Sequence, residues 1–241
     1  MFKQDHEHTP KAIELRLRKG TKITYLQEWV YGGIDGVITT FAIVAGVIGA
    51  NLSPVIILIL GIANLVGDGF SMAAGSYSST KTEIDNYNRL RKFESKQIKL
   101  CPEGEKEEIR QIYKAKGFSS DELERIVETI TSNDQLWIDT MMYEEYGLSS
   151  NQRIPIRSAL NTFIAFLICG IMPLMPFLFF MTDPFYFALG FSAITFFAIG
   201  SFKSIWSLSK WWEQGINTMF IGLSAAGIAF TIGYWLRNLV L

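Results

Sequence analysis

Cysteine and histidine are almost missing from this 241-residue chain, with two of each. Cys101 lies in a charged segment and Cys169 in an apolar run, which suggests two free thiols and no disulfide framework. His6 and His8 both fall in a polar N-terminal tail, read as disordered, so the Glu-x-x-His pairs of a di-iron centre have no source. No G-x-x-x-x-G-K-[ST] stretch occurs, which argues against ATP drive. The first 28 residues contain no apolar core, so no cleavable signal peptide is expected. Net charge is −1, which leaves no electrostatic footprint for nucleic acid. The most informative absence is local: Gly36–Gly67, Ser158–Thr182, Pro184–Phe202 and Gln214–Leu236 contain no Asp, Glu, Lys or Arg.

A bilayer core needs roughly 20 apolar residues as helix. The first charge-free run is broken by the turn sequence NLSP at 51–54 and holds two spans. The expected spans are therefore 30–50, 54–78, 156–181, 184–204 and 214–236. Hydrophobic residues make up 49% of the chain and mean hydropathy is +0.21, in keeping with this reading. The expected fold is all-α, a polytopic membrane protein with five transmembrane helices. Span two has no Gly or Pro over Ser76–Leu100 and should continue as helix to about residue 98. A helical domain is inserted between spans two and three. Within it CPEG at 101–104 is a break, Ser119 and Glu122 have capping-box spacing, and SNDQLW at 132–137 reads as another helix start. The resulting division is a tail and amphipathic segment at 1–29, spans one and two at 30–80, the helical domain at 81–152, and spans three to five at 153–241.

Basic residues orient the chain. The tail has Lys3, Lys11, Arg16, Arg18, Lys19 and Lys22, the 81–157 segment is rich in Lys and Arg, and the fourth connection has Lys203 and Lys210. The turns at 51–53 and 182–183 have none. The tail and the inserted domain are thus expected in the cytoplasm. The aromatic stretch SIWSLSKWW reads as an interfacial belt.

Two acids sit inside this apolar frame. An Asp at bilayer depth costs on the order of 3 kcal/mol and usually faces a bundle interior or a water-filled path. At 1.5 Å per residue Asp35 and Asp68 fall about 8 and 9 Å from the cytoplasmic boundary, on adjacent antiparallel helices. Asn64, Asp68 and Met72 form an i, i+4, i+8 stripe. Amide oxygen, carboxylate and thioether together suit a borderline transition metal better than Mg²⁺ or Ca²⁺. Plainer roles remain open: Asp35 as a helix cap and Met72 as core filler. Gly32, Gly36 and Gly46 line span one and allow close approach, either within the chain or between two copies.

The inserted domain is acidic. Glu105 and Glu108 are i, i+3 on one helix face, and Met141 and Met142 precede Glu145 by four and three residues. Two methionines expected at the surface beside carboxylates suit Fe²⁺.

YGGIDGVITTFAIVAGVIGA, ANLVGDGFSMAAGSYSSTKTE, WIDTMMYEEYGL and GIMPLMPF resemble the vacuolar iron transporter family, which includes nodulin-21-like proteins and prokaryotic members. The resemblance covers about residues 25–240. It implies a dimer that moves Fe²⁺ out of the cytoplasm in exchange for protons, and a cytoplasmic domain that collects metal. Carried over, the membrane site uses Asp35 and Met72, and the cytoplasmic site uses Glu94, Glu105, Glu108, Met141 or Met142, and Glu145. The chain departs from plant members at Asn64 and Gln97, where they have glutamate.

The expected function is a proton-coupled exporter of Fe²⁺, with Mn²⁺, Co²⁺ and Zn²⁺ as further cargo. It is expected to be a non-enzyme without organic cofactor, in a prokaryotic cell membrane, as a homodimer. The alternative is a membrane-anchored iron-storage or di-iron oxidase-like protein, which the histidine count disfavours. A non-transporting scaffold leaves the intramembrane acids unexplained.

Overall fold

The computed structural model describes residues 7–19 and 23–240. Lys3, His6 and Lys22 of the tail lie outside the described residues. The described residues are helical throughout, with no strand, and five helices are long and apolar enough to cross a membrane. Two units are distinguished: residues 24–80 with 154–241, and residues 1–23 with 81–153.

The first unit contains α2 (Leu26–Gly49), the N-terminal part of α3 (Pro54–Leu100), α7 (Pro155–Gly170), the short α8 (Met175–Leu178), α9 (Pro184–Lys203) and α10 (Trp211–Val240). Helix α2 is central and packs against α7, α9 and α10. Lipid tails are as apolar as Leu, so helices in a bilayer associate through close packing rather than apolar burial. Glycine supplies that closeness. A Cβ on Gly36 would lie 2.4 Å from the Phe166 carbonyl oxygen on α7, and one on Gly32 2.5 Å from that of Thr162. Further along, a Cβ on Gly233 of α10 would lie 2.2 Å from the Gly46 carbonyl oxygen. The glycine stripe is therefore used within one chain. Of the two uses open to the stripe, intrachain packing is the one seen at Gly32 and Gly36.

Span three matches the expected span at 156–181 in place, Pro155–Leu178, and is internally interrupted. Pro173 and Pro176 cannot donate backbone hydrogen bonds, so α7 stops at Gly170. A 3₁₀ turn at Met172–Leu174 and α8 follow. Leu174 and Phe177 from this broken stretch are buried in the same apolar cluster as Phe41, Val44, Leu65 and Phe166.

Span two continues unbroken as α3 to Leu100, and Pro102 opens the next helix at a first-turn position where its missing N–H costs nothing. The other unit holds α1 (Pro10–Lys19), the C-terminal part of α3, α4 (Pro102–Ala115), α5 (Ser120–Thr131) and α6 (Asp134–Glu144). Its core joins Ile98, Ile109, Leu123, Val127, Ile130, Trp137, Met141 and Met142. Ser119 occupies the N-cap of α5 but makes no side-chain cap bond. Ser120 has φ of 53°, which turns the first amides away from the Ser119 hydroxyl, so the expected capping box does not form. Asn133 does cap α6, its Oδ1 accepting from Gln135 N at 2.9 Å and Leu136 N at 3.1 Å.

The carbonyl contact at Gly36 makes a sharp test, because alanine adds only the Cβ. Gly36→Ala should lower the unfolding temperature in detergent, at a cost of about 1–3 kcal/mol of overpacking. Gly190→Ala, where no atom lies within 4 Å of the added Cβ, should be neutral or slightly stabilising. Equal shifts in thermal scans of the two variants would refute the role of the α2–α7 approach.

Candidate functional site

The membrane unit brings the sequence-predicted acids together. Asp35 lies well inside α2, which begins at Leu26 with Tyr25 at the N-cap. It therefore caps nothing, and the capping alternative is removed. Asp35 and Asp68 of α3 are near enough for their charges to interact. Asn64 is tied to α2: its Nδ2 donates to Thr39 Oγ1 at 3.2 Å, and Thr39 Oγ1 donates to the Asp35 carbonyl oxygen at 2.9 Å. Thr39 thus links the α3 stripe to the backbone of Asp35, a role the sequence reading missed. Its signal was present, since a Thr four residues after an Asp on a helix can bond back to that carbonyl. Met72 packs against the apolar core of the unit, so the core-filler reading holds for at least part of its side chain. Glu28, buried in the first turn of α2, falls outside the expected span because the helix starts four residues earlier than expected.

The second group of acids lies in the other unit. Several of its carboxylates are matched: Arg110 with Glu107 and Glu124, Lys116 with Glu144, Arg91 with Asp139 at 2.5 Å, and Arg153 with Glu83 at 3.1 Å. Glu94, Glu105, Glu108 and Glu145 are in none of these pairs. Glu94 on α3 and Glu105 on α4 are buried, only 2% and 6% exposed, and the Oε2 atom of each has no hydrogen-bond partner. Glu108 and Glu145 are exposed. Burial pushes the Glu105 carboxyl up to about 7, helped by the charges of Glu108, Glu94 and Glu145 and by the hydrogen bond that its protonated form can give Glu94. Glu145, exposed as a residue but with its carboxyl partly desolvated, is also raised, by that desolvation and then by the charge of Glu94, while a hydrogen bond from Tyr146 opposes the rise. The four acids therefore share one electrostatic neighbourhood.

Among the described residues no three His, Cys, Asp or Glu side chains close into a ready-made metal centre. Mutual repulsion accounts for this, since four carboxylates stay apart unless a cation or proton intervenes. The two bare, buried oxygens are the atoms that a cation would satisfy. Gln97, half-buried on α3, supplies an amide and no charge. Met141 and Met142 are not at the surface: they are 0% and 1% exposed and belong to the unit's apolar core. The spacing that puts them beside Glu145 also fits an inward helical face, and the burial of α6 decides between the two.

One further bond joins distant segments. Tyr146 Oη donates to Glu94 Oε1 at 2.7 Å across 52 residues of sequence. No local pattern announces a contact of that range.

The raised Glu105 carboxyl gives a sign for pH dependence. The folded state holds this proton more tightly than the unfolded chain, whose value is near 4.5. The resulting stabilisation is complete below about 4.5 and is lost as pH rises through about 7. In metal-free protein the unfolding temperature should fall from pH 5 to pH 8. Glu105→Gln should flatten that fall and raise stability at pH 8. An unchanged slope in thermal scans of the variant would remove Glu105 as its source.

A model of the VIT family matches residues 26–234. Vacuolar iron transporter of Plasmodium berghei is 32% identical over 226 residues, covering 89% of this chain and 83% of that protein. Vacuolar iron transporter 1 of Arabidopsis thaliana is 31% identical, covering 86% of this chain and 84% of that protein. Vacuolar iron transporter of Toxoplasma gondii is 37% identical over 66% of this chain, which spans only 53% of that relative's length. With most of its length matched by the family model, the chain belongs to the VIT family, the vacuolar iron transporters.

Proposed function

We propose that the chain exports Fe²⁺ from the cytoplasm in exchange for protons, with Mn²⁺, Co²⁺ and Zn²⁺ as further cargo. The observation that carries this reading is the proximity of Asp35 and Asp68 on two otherwise apolar spans. Carboxylates at bilayer depth mark ion paths. A carboxylate must shed its proton to bind a metal ion, so one group can serve both ions. Asn64 and Met72 on the same helical stripe add an amide oxygen and a thioether, a donor set suited to a borderline metal.

The second group, Glu94, Glu105, Glu108 and Glu145 with a methionine of α6, is the cytoplasmic collecting site in this reading. Its support is the pair of buried carboxylate oxygens left without partners. The distribution of Lys and Arg supports a cytoplasmic position for this domain. A homodimer is part of the proposal, with α3 as the contact. Helix α2 is enclosed by α7, α9 and α10, whereas α3 leaves Val55, Ile59, Ile62, Val66 and Phe70 exposed at helical spacing. The matched relatives are vacuolar proteins of eukaryotes; a cell-membrane location for this chain is our assignment.

The test is reconstitution into liposomes with Fe²⁺ flux and lumenal pH followed together. Wild-type protein should move Fe²⁺ with an opposed proton flux, and Asp35→Asn should reduce both to background while the protein stays folded. Undiminished flux in Asp35→Asn would overturn the assignment of the membrane site. Fe²⁺ flux with no pH change would overturn proton exchange.

A further inference from the structure

We infer that Tyr146 is a positioning residue for metal capture, one that fixes which oxygen of Glu94 meets the ion. The inference rests on the reading of the Glu94–Glu105 group as a metal site. Glu94 is buried and its two oxygens differ: Oε1 accepts the Tyr146 hydroxyl at 2.7 Å, and Oε2 has no partner. Glu105 also keeps a bare Oε2. A carboxylate free to rotate can offer a cation either oxygen or both. With one lone pair of Oε1 engaged by a phenol, Oε2 is the oxygen Glu94 offers first.

The phenol is well placed to hold that bond. Its ring packs against the apolar core of the unit, so the hydroxyl is not carried on a mobile side chain. The backbone behind it is also set. Gly147 turns the chain at φ of 65°, Gly147 N donates to Tyr143 O at 3.1 Å, and Leu148 N donates to Met142 O at 2.9 Å. Tyr146 directly follows Glu145, so the bond ties the end of α6, with its own acid, to the acid on α3. Groups that orient a ligand through its second atom commonly change metal affinity by about 10–100-fold.

The test uses the full-length protein in detergent with Co²⁺ as the probe, followed by its visible absorption. Wild type should bind, and Glu94→Gln should weaken one binding event. Tyr146→Phe, which removes only the hydroxyl, should weaken the same event about 10–100-fold. It should also change the Co²⁺ spectrum, because the freed Oε1 alters how Glu94 coordinates. In the Glu94→Gln background Tyr146→Phe should cost clearly less affinity than in wild type, since its bond to Glu94 is already compromised. A purely structural tyrosine would weaken binding by the same factor in both backgrounds and leave the spectrum of the bound ion unchanged; either result overturns the inference. So does wild-type affinity and spectrum in Tyr146→Phe, provided that Glu94→Gln still weakens binding. If wild type binds no Co²⁺, or Glu94→Gln binds as wild type does, the metal-site reading itself fails and takes this inference with it.

Discussion

The membrane unit depends on how near α2 can come to its neighbours. At Gly32 and Gly36 the backbone of α7 occupies the space where side chains would be, and at Gly49 the backbone of α10 does so. With α2 held centrally by α7, α9 and α10, its remaining side carries Asp35 and Thr39 to the residues of α3. Van der Waals attraction falls off within an ångström or so of optimal separation, so helices without an aqueous driving force need such contact to stay associated. The polar link from Asn64 through Thr39 to the Asp35 carbonyl then connects α3 to the central helix.

The two acidic groups obey the same electrostatics in different surroundings. In the membrane unit, two carboxylates lie close together among apolar helices. In the other unit, four carboxylates are grouped while their neighbours are neutralised by Arg and Lys. Surface ion pairs of that kind add little stability, generally below about 1 kcal/mol. What sets Glu94 and Glu105 apart from the other acids of the unit is burial: each keeps a buried carboxylate oxygen with no donor to it.

Much of the fold was legible because charge is costly in hydrocarbon, so long stretches without it point directly to membrane spans. The five spans and the unbroken run of α3 follow from composition and the placement of Gly and Pro. The sequence was ambiguous where a pattern had two physical meanings. Small residues at four-residue spacing permit close approach but do not name the partner, and Gly36 faces Phe166 of its own chain. Met141 and Met142 share a face with Glu145, yet periodicity cannot say whether that face looks outward. Ser119 has the right neighbour for a capping box, but a left-handed Ser120 prevents it. GIMPLMPF is apolar enough to pass for continuing helix, although its two prolines break span three. The Tyr146–Glu94 bond joins distant segments and had no local signal at all. Asp35 and Asp68 were legible because antiparallel helices convert sequence position directly into depth.

The bare oxygens of Glu94 and Glu105 have a bearing on how long the protein lasts. A buried carboxylate oxygen without a partner is a standing penalty on the empty fold. A cation that binds only the folded form shifts the folding equilibrium by mass action. Unfolded chains are what proteases remove, so small shifts in that equilibrium change abundance several-fold. On the proposed reading of this group as a metal site, the carrier is protected by its own cargo. Its lifetime would lengthen when metal is plentiful and shorten when metal is scarce, with no sensor beyond the carboxylates themselves.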